Sequence, residues 1–174
     1  YKRDSNGVRL KGVFDLIPYD EDWRRGGEYL KQVLADIGIQ VELRYEDVPT
    51  WLKRIYHRYD FQMNLNYFYQ LPDPVLGVHR HYGTDQIRKG THFVNSSRYS
   101  NPKLDALLDS GAGEPNAAKR TAAYKEIQQI LANDMPVVNL FELEFLVVYN
   151  TKLKGVYGSA MGAYGSFREG YLDD

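Results

Sequence analysis

Two hydrophobic periodicities alternate along the first half of the chain. Three segments are apolar or alternate apolar with polar residues, as strands do, and the two stretches between them repeat apolar residues three and four positions apart, as helices do. The predicted elements are strand Val8–Ile17, helix Trp23–Ile37, strand Gln40–Tyr45, a helix beginning at Asp47-Val48-Pro49 with an inner stripe of Trp51, Leu52, Ile55 and Tyr59, and strand Phe61–Tyr69. This β-α-β-α-β order predicts parallel strands with helices on both faces.

The second half has a longer helical pattern and then fades. Residues 83–100 are polar and irregular, and the pattern resumes with a proline-initiated helix. The predicted elements are a helix from Asn101-Pro102, a break at Gly111-Ala112-Gly113, a helix Ala117–Asn133 and strands Val137–Phe141 and Glu144–Tyr149. The fold class is therefore α/β, with a mixed, mostly parallel sheet flanked by helices. Residues 1–150 are expected to form one lobe, and residues 151–174 a tail without periodicity of its own.

The strand Phe61–Tyr69 leads into the most distinctive segment of the chain. Its end carries Tyr67, Phe68, Tyr69 and Gln70, and two prolines follow closely, which must end the strand. Asp73 is placed to N-cap a helix that has proline at its first position. Because open α/β sheets bind ligands at the carboxyl ends of their strands, this segment predicts a binding surface with aromatic walls and one amide.

Composition narrows the function classes. The 174 residues include 22 basic and 23 acidic side chains, so no bulk charge attracts the chain to nucleic acid or anionic lipid. There are no cysteines, which excludes disulfides and thiolate chemistry. No apolar run approaches the length of a membrane span. The chain begins at Tyr1-Lys2-Arg3-Asp4, which suggests a mature fragment or an excised domain.

Catalytic and metal-binding patterns are weak. His79 and His81 share a face only in an extended segment, and no cysteine or carboxylate cluster completes a ligand set, so histidines hydrogen-bonded near the cleft are favoured over a metal site. Glu142 and Glu144 share a strand face and suit an acid/base pair, but the polar side of an alternating strand is the simpler interpretation. Nothing predicts a cofactor. Arg98 lies in a polar loop, where it is either a solvated turn residue or a ligand contact.

Several motifs occur in a characteristic combination: ADIGIQVEL, then YDFQMNL followed by the aromatic run and DP, then YSNPKLDALLD, and KRTAAYKEIQQILANDMPVVNLFE. In this combination the chain resembles the carboxy-terminal part of bacterial extracellular solute-binding protein family 5, the dipeptide- and oligopeptide-binding components of ABC importers. The resemblance covers almost the whole chain. It implies a periplasmic-binding-protein-like (type II) lobe, an amino-terminal part that supplies the opposing lobe and against which the tail packs, and no enzymatic activity.

The resemblance also assigns the site. In the family a peptide lies between two lobes, held largely by backbone hydrogen bonds. The resemblance implies ligand contacts from Tyr67, Phe68, Tyr69, Gln70 and Asp73. It also implies a location in the periplasm or on a lipid anchor outside the cytoplasmic membrane. There the protein would deliver solute to ABC permease subunits. The family usually has an aspartate at the position of Gln70, where it pairs with the ligand's amino terminus. A neutral amide cannot form that charge-assisted bond, so either the ligand presents no amine there or the other lobe holds it.

Three alternatives remain open from the sequence. The same scaffold is reused for other solutes, such as an opine, a glycoside or a metal chelate. A small α/β enzyme needs a perturbed acid, base or nucleophile in a pocket. A plain interaction domain would display a contiguous apolar patch.

Overall fold

The computed structural model describes Ser5 and residues 10–143, 147–156 and 165–173. Strands and helices alternate in the first half, and helices dominate the second. The bounds are β1 Lys11–Leu16, α1 Glu21–Asp36, β2 Gln40–Arg44, α2 Val48–Leu52 with a π-helical turn Lys53–Arg58, β3 Met63–Leu65, α3 Pro74–Tyr82, a 3₁₀ turn Thr84–Gln86, α4 Pro102–Gly113, α5 Ala117–Asp134, β4 Leu153–Lys154 and β5 Tyr171–Leu172. The predicted α/β class is confirmed.

A parallel three-stranded sheet is the centre of the first half. Its order is β2-β1-β3, and in β1 Asp15 is in register with Arg44 of β2 and with Asn64 of β3. The predicted parallel arrangement of the first three strands is confirmed. Among the described residues, β4 and β5 form a separate antiparallel pair.

The helices begin and end where local chemistry predicts. The Asp20 side chain accepts a hydrogen bond from the Asp22 backbone N–H at the start of α1, and Gly38 follows the helix with a φ of 87°. Asp47 caps α2 by accepting from the Thr50 N–H, and Asn116 caps α5. These caps explain why the predicted boundaries of α1 and α5 lie within two residues of the observed ones.

Two separate apolar clusters hold these elements. The first lies between the sheet and the helices α1 and α2, and includes Phe14, Leu16, Ile17, Trp23, Val41, Trp51, Ile55, Tyr56 and Leu65. The second joins α3, α4 and α5 through Tyr82, Leu104, Leu108 and Ile127. The π-helical turn shifts the inner face of α2, so Tyr56 is fully buried and Tyr59 is only half-buried. The predicted stripe that ended at Tyr59 is therefore wrong at that residue.

Two other predictions, one about the length of β3 and one about a glycine-rich segment, need correction. β3 contains only Met63–Leu65 and is much shorter than the predicted strand Phe61–Tyr69, because a hydrogen bond to the Asn66 side chain ends it. Residues Gly111 to Gly113 do not interrupt helix α4, which continues to Gly113. Gly111 lies against the Tyr124 ring of α5, and the Gly111 carbonyl accepts a hydrogen bond from Arg120. Close helix packing therefore uses the glycine.

The predicted strand Val137–Phe141 is also not formed. A strand needs a partner to satisfy its backbone, and no described strand pairs with these residues. Of the predicted strand Glu144–Tyr149, residues 144–146 lie outside the described part, and residues 147–149 are not in a strand. Within the predicted tail, β4 pairs with β5, a ladder that the lack of periodicity did not predict. The boundary after residue 150 stays a prediction.

Candidate ligand-binding site

The carboxyl ends of the three parallel strands lie at one edge of the sheet, and aromatic residues follow each of them. Tyr19 comes after β1, Tyr45 directly follows β2, and Tyr67 to Tyr69 follow β3. Because this edge is where parallel sheets bind ligands, it is the place to look for a site. We call residues 66–72 the aromatic loop.

A side-chain hydrogen bond ends β3 and begins the aromatic loop. The Asn66 Oδ1 accepts a hydrogen bond from the Tyr67 backbone N–H at 2.8 Å. The Asn66 Nδ2 in turn donates to the hydroxyl of the buried Tyr56 at 2.8 Å. Because Asn66 occupies the backbone donor of Tyr67, the strand ladder stops at Leu65, which explains the short β3.

Tyr67 lies within a group of five aromatic residues. Its ring stacks on Trp23 of α1, with centroids 5.4 Å apart and an interplanar angle of 24°. Tyr19 and Tyr69 contact the Tyr67 ring edge-on at 5.7 Å and 5.5 Å, and Phe141 lies 6.5 Å from Trp23. We call these residues the aromatic wall. Tyr19, Tyr69 and Phe141 are exposed, so the wall offers ring surface to solvent while Trp23 anchors it in the core.

Phe68 has a different environment from its two neighbours. Its ring lies on the ring of His81 in α3, with centroids 3.8 Å apart. One helical turn before His81, Gly77 lies against the backbone of Gln70, where a Cβ on residue 77 would overlap the Gln70 carbonyl. One face of α3 therefore supports the aromatic loop from beneath. Phe68 is half-buried against this face, although the sequence predicted an open surface for all of residues 67–70.

Three more residues were predicted to contact ligand. Gln70 is exposed, as expected of a side chain that reaches into a cleft. Asp73 caps α3 through the Val75 N–H, and its Oδ1 also pairs with Arg120 of α5 at 2.7 Å. The Arg120 guanidinium and this backbone hydrogen bond hold the pKa of the Asp73 carboxyl below its usual value. The Asp73 cap predicted from the sequence is confirmed, and its Oδ1 is already engaged within the fold.

Arg98 lies in a different environment. Its backbone has a φ of 58°, and its guanidinium lies over the ring of Tyr59, 5.3 Å from the centroid. Tyr59 follows the π-helical turn, so this contact belongs to the end of α2. A role for Arg98 in ligand binding stays a prediction, as do the roles of Tyr67, Phe68, Tyr69, Gln70 and Asp73.

A surface pocket adjoins the aromatic wall. It has a volume of about 310 Å³, and Tyr19 belongs to both the pocket and the wall. Tyr45 lines its other side, donating to Glu28 Oε1 at 2.9 Å, and the Arg24 guanidinium lies 4.8 Å from the centre of the Tyr45 ring. The pocket lining is Leu16, Ile17, Pro18, Tyr19, Asp20, Glu21, Arg24 and Tyr45. The pocket widens the candidate site toward β1 and β2.

Sequence reasoning missed much of this surface. The sequence places Trp23 in a predicted helix and Phe141 in a predicted strand, and it assigns Tyr19 to no element. Nothing in the linear sequence connects these three with Tyr67, because Tyr19 and Trp23 contact its ring, and Phe141 contacts Trp23, only through tertiary packing. The available signal was position: Tyr19 follows the first predicted strand, and Tyr45 and Tyr67 lie at or near the carboxyl ends of the other two.

The described residues offer neither a metal site nor a helix that could cross a membrane. They contain no group of three or more histidine or acidic side chains arranged to hold a metal ion. His79 instead lies near Asp85, with Nε2 to Oδ1 at 3.3 Å, whereas His81 lies under Phe68, so the two histidines do not act together. None of the described helices is both long enough and apolar enough to cross a membrane.

An α/β lobe with this arrangement is the fold of periplasmic solute-binding proteins. NikZ from Campylobacter jejuni, solved in complex with Ni(L-His), matches with a TM-score of 0.76 at 20% identity, over 94% of this chain and 34% of that chain. A putative peptide-binding protein AppA from Clostridium difficile matches with a TM-score of 0.71 at 21% identity, over 98% and 35%. The predicted lobe type is confirmed.

Curated relatives make the assignment more specific. The chain is 24% identical over 145 residues to the peptide transport periplasmic protein SapA of Haemophilus influenzae, covering 78% of this chain and 24% of that protein. It is 26% identical over 137 residues to the probable D,D-dipeptide-binding periplasmic protein DdpA of Escherichia coli, covering 78% and 26%. No protein-family model matches. The chain spans about a quarter of the length of these relatives, and the resemblance to solute-binding protein family 5 is confirmed.

Proposed function

We propose that this chain is a ligand-binding lobe of a solute-binding protein that serves an ABC importer. The protein captures peptides or peptide-like solutes in a cleft between two lobes and delivers them to permease subunits in the membrane. One observation carries the proposal: the aromatic wall and Gln70 lie together at the carboxyl edge of the parallel sheet. The names of SapA and DdpA, for peptide transport and D,D-dipeptide binding, supply the ligand class.

The chain after α5 supports the presence of an opposing lobe. Val138 and Phe141 are 67% and 60% exposed, and Val148 is 97% exposed. Several exposed apolar side chains within one short segment of chain are costly in water and are typical of a surface that another part of a protein covers. Because both curated relatives are about four times longer than their match to this chain, the covering part is proposed to be the amino-terminal lobe of the same protein.

Location and chemistry follow from the same proposal. The protein acts in the periplasm, as the names of the relatives indicate, or on a lipid anchor outside the cytoplasmic membrane. It binds and releases solute without a chemical reaction, needs no cofactor and has no nucleic-acid partner. The importer proteins among its relatives support this assignment over a small α/β enzyme.

A second candidate is a different solute on the same scaffold. A structural neighbour from Thermotoga maritima, an oligopeptide-binding protein at 25% identity and a TM-score of 0.65, was solved with bound mannohexaose. Exposed aromatic rings suit the apolar faces of sugars as well as peptide side chains. A glycoside is therefore the alternative ligand, and a metal chelate is another, after the Ni(L-His) complex of NikZ.

Native mass spectrometry tests the proposal on the natural polypeptide that carries this chain. The protein is purified from its native host under gentle conditions, and the masses that dissociate from it are identified. We expect short peptides or peptide derivatives. Release of an oligosaccharide or a metal chelate would favour the second candidate. A ligand-free protein that binds none of these classes in titration would contradict an importer function.

A further inference from the structure

His81 is a buried polar residue whose ring nitrogens find no hydrogen-bond partner in the described part of the chain. Its side chain lies in α3 and is 3% exposed. Neither Nδ1 nor Nε2 has a hydrogen-bond partner among the described residues. Burial, together with the nearby Arg80 guanidinium, lowers the pKa of His81 to about 3, so the ring is neutral at physiological pH. A neutral imidazole has one N–H donor and one nitrogen acceptor, and no described residue satisfies either of them.

This arrangement costs stability. A buried donor or acceptor without a partner costs about 1–3 kcal/mol, and apolar residues of similar size would fill the same space without that cost. Buried polar groups in folded proteins are nearly always paired, so an unpaired one requires an explanation. A partner that arrives only with a bound molecule supplies that explanation.

Phe68 separates His81 from the candidate site. The Phe68 ring covers the imidazole at 3.8 Å and is itself only half-buried. It belongs to the aromatic loop, whose next residues Tyr69 and Gln70 are exposed. Gly77 and His81 are four residues apart and therefore share the face of α3 that supports this loop. Phe68 therefore lies between the imidazole and the exposed residues of the aromatic loop.

We propose that His81 is a ligand-binding residue, which Phe68 covers in the free protein and uncovers when ligand binds. The group that it recognises is a peptide amide, because a neutral imidazole offers one donor and one acceptor, and an amide offers the complementary carbonyl and N–H. A carboxylate accepts from the ring N–H but has no donor for the acceptor nitrogen, so it satisfies only one of the two. This inference rests on the proposed function and adds a specificity residue to its site.

The test uses the natural polypeptide that carries this chain, with trialanine, tetra-alanine and penta-alanine as probes and mannohexaose as the comparison. His81→Phe keeps the ring and removes both nitrogens, and His81→Gln keeps a donor and an acceptor. His79→Phe is the matched control, since it places the same substitution on the same helix away from the Phe68 contact. Thermal unfolding of each variant is measured beside its affinity.

We expect His81→Phe to be as stable as the parent or more stable, yet to bind the alanine peptides about fivefold to tenfold more weakly, the effect of one or two lost hydrogen bonds. His81→Gln should recover part of the affinity, and His79→Phe should bind as the parent does. In the parent protein, the ¹⁵N resonances of the His81 ring should shift when peptide is added. This measurement needs no variant and therefore stands if His81→Phe fails to fold.

Each other outcome overturns the inference in a distinguishable way. If the parent binds alanine peptides and His81→Phe binds them within twofold, with unchanged His81 resonances, His81 is only structural and the proposed function survives. If mannohexaose and not the peptides shifts the His81 resonances, the amide assignment is wrong. If the parent binds neither kind of probe and releases no peptide in native mass spectrometry, the proposed peptide-binding function fails together with the inference.

Discussion

Gly77 lies directly against the backbone of Gln70, so closely that a side chain on residue 77 would overlap the Gln70 carbonyl group. The contact holds the exposed end of the aromatic loop on the surface of α3. The helix and the loop can approach this closely only because residue 77 has no Cβ. The position of the predicted ligand-contacting amide therefore depends on a glycine that makes no ligand contact itself.

Gly77→Ala should displace the aromatic loop. The added methyl group meets backbone atoms, which cannot rotate away, so we expect a loss of about 1–3 kcal/mol in the free energy of unfolding and weaker ligand binding. Urea denaturation and titration with the co-purified ligand measure the two effects. Gly26→Ala is the control, because a Cβ there would be 3.8 Å from Leu65 and should stabilise α1 by up to about 1 kcal/mol. Equal behaviour of the two variants would contradict the proposed contact.

Gln70 should contribute to affinity as a neutral hydrogen-bonding group. Gln70→Ala should weaken binding by about 1 kcal/mol, the net value of such a bond. Gln70→Asp should favour ligands with a free amine by about 1–3 kcal/mol if the pair is desolvated. Isothermal titration with a free peptide and its N-acetylated form measures both effects. Gln129→Ala, at an exposed glutamine of α5, is the control. If neither Gln70 variant differs from it, Gln70 does not face the ligand.

Tyr56 should act on the site through Asn66. Tyr56→Phe removes the hydroxyl that accepts from Asn66 Nδ2, leaving a half-buried donor unpaired at a cost of about 1–3 kcal/mol in unfolding free energy. Because Asn66 also holds the Tyr67 N–H, we expect ligand affinity to fall as well. Tyr29→Phe, at a tyrosine that is 67% exposed, should change neither quantity. The idea fails if Tyr56→Phe and Tyr29→Phe have the same unfolding midpoint and affinity.

Asp15 should make stability depend on pH. It is 1% exposed on the central strand, 3.5 Å from Arg44 and 3.8 Å from Arg54, and its burial outweighs these two cations and raises its pKa to about 6. The folded state therefore holds the Asp15 proton at a pH where the unfolded state has lost it. This contribution is fully present below about pH 4 and is lost as the pH rises through 6, an effect of about 2–3 kcal/mol.

Asp15→Asn separates this effect from that of its neighbours. Glu46, whose pKa Arg54 lowers, works in the opposite direction and loses its contribution as the pH falls. The difference between the parent and Asp15→Asn in unfolding free energy, measured by urea denaturation from pH 4 to pH 7.5, isolates Asp15. We expect the parent to lose stability relative to the variant across this range. A difference that is constant with pH would mean that Asp15 titrates normally.

Local sequence patterns were sufficient to predict the order of the main elements and the direction of the first three strands. The β-α-β-α-β order and the parallel strands follow from hydrophobic periodicity, and the Asp73-Pro74 start of α3 follows from capping, because both depend on residues close together in the chain. The location of a candidate surface after β3 also followed, since parallel strands place their carboxyl ends at one edge. The similarity to solute-binding proteins was also predictable from the motifs and their order along the chain.

Tertiary packing decided the composition of the candidate site. β3 ends early because Asn66 bonds to Tyr56, a residue of another element, and the predicted strand Val137–Phe141 is absent because no described strand pairs with it. Tyr67 and Phe68 are adjacent in sequence but contact different elements, Trp23 of α1 and His81 of α3. Such contacts join residues far apart in the chain, and no local pattern encodes them. The sequence determined the order and type of most elements, and their packing determined where β3 ends and which side chains meet.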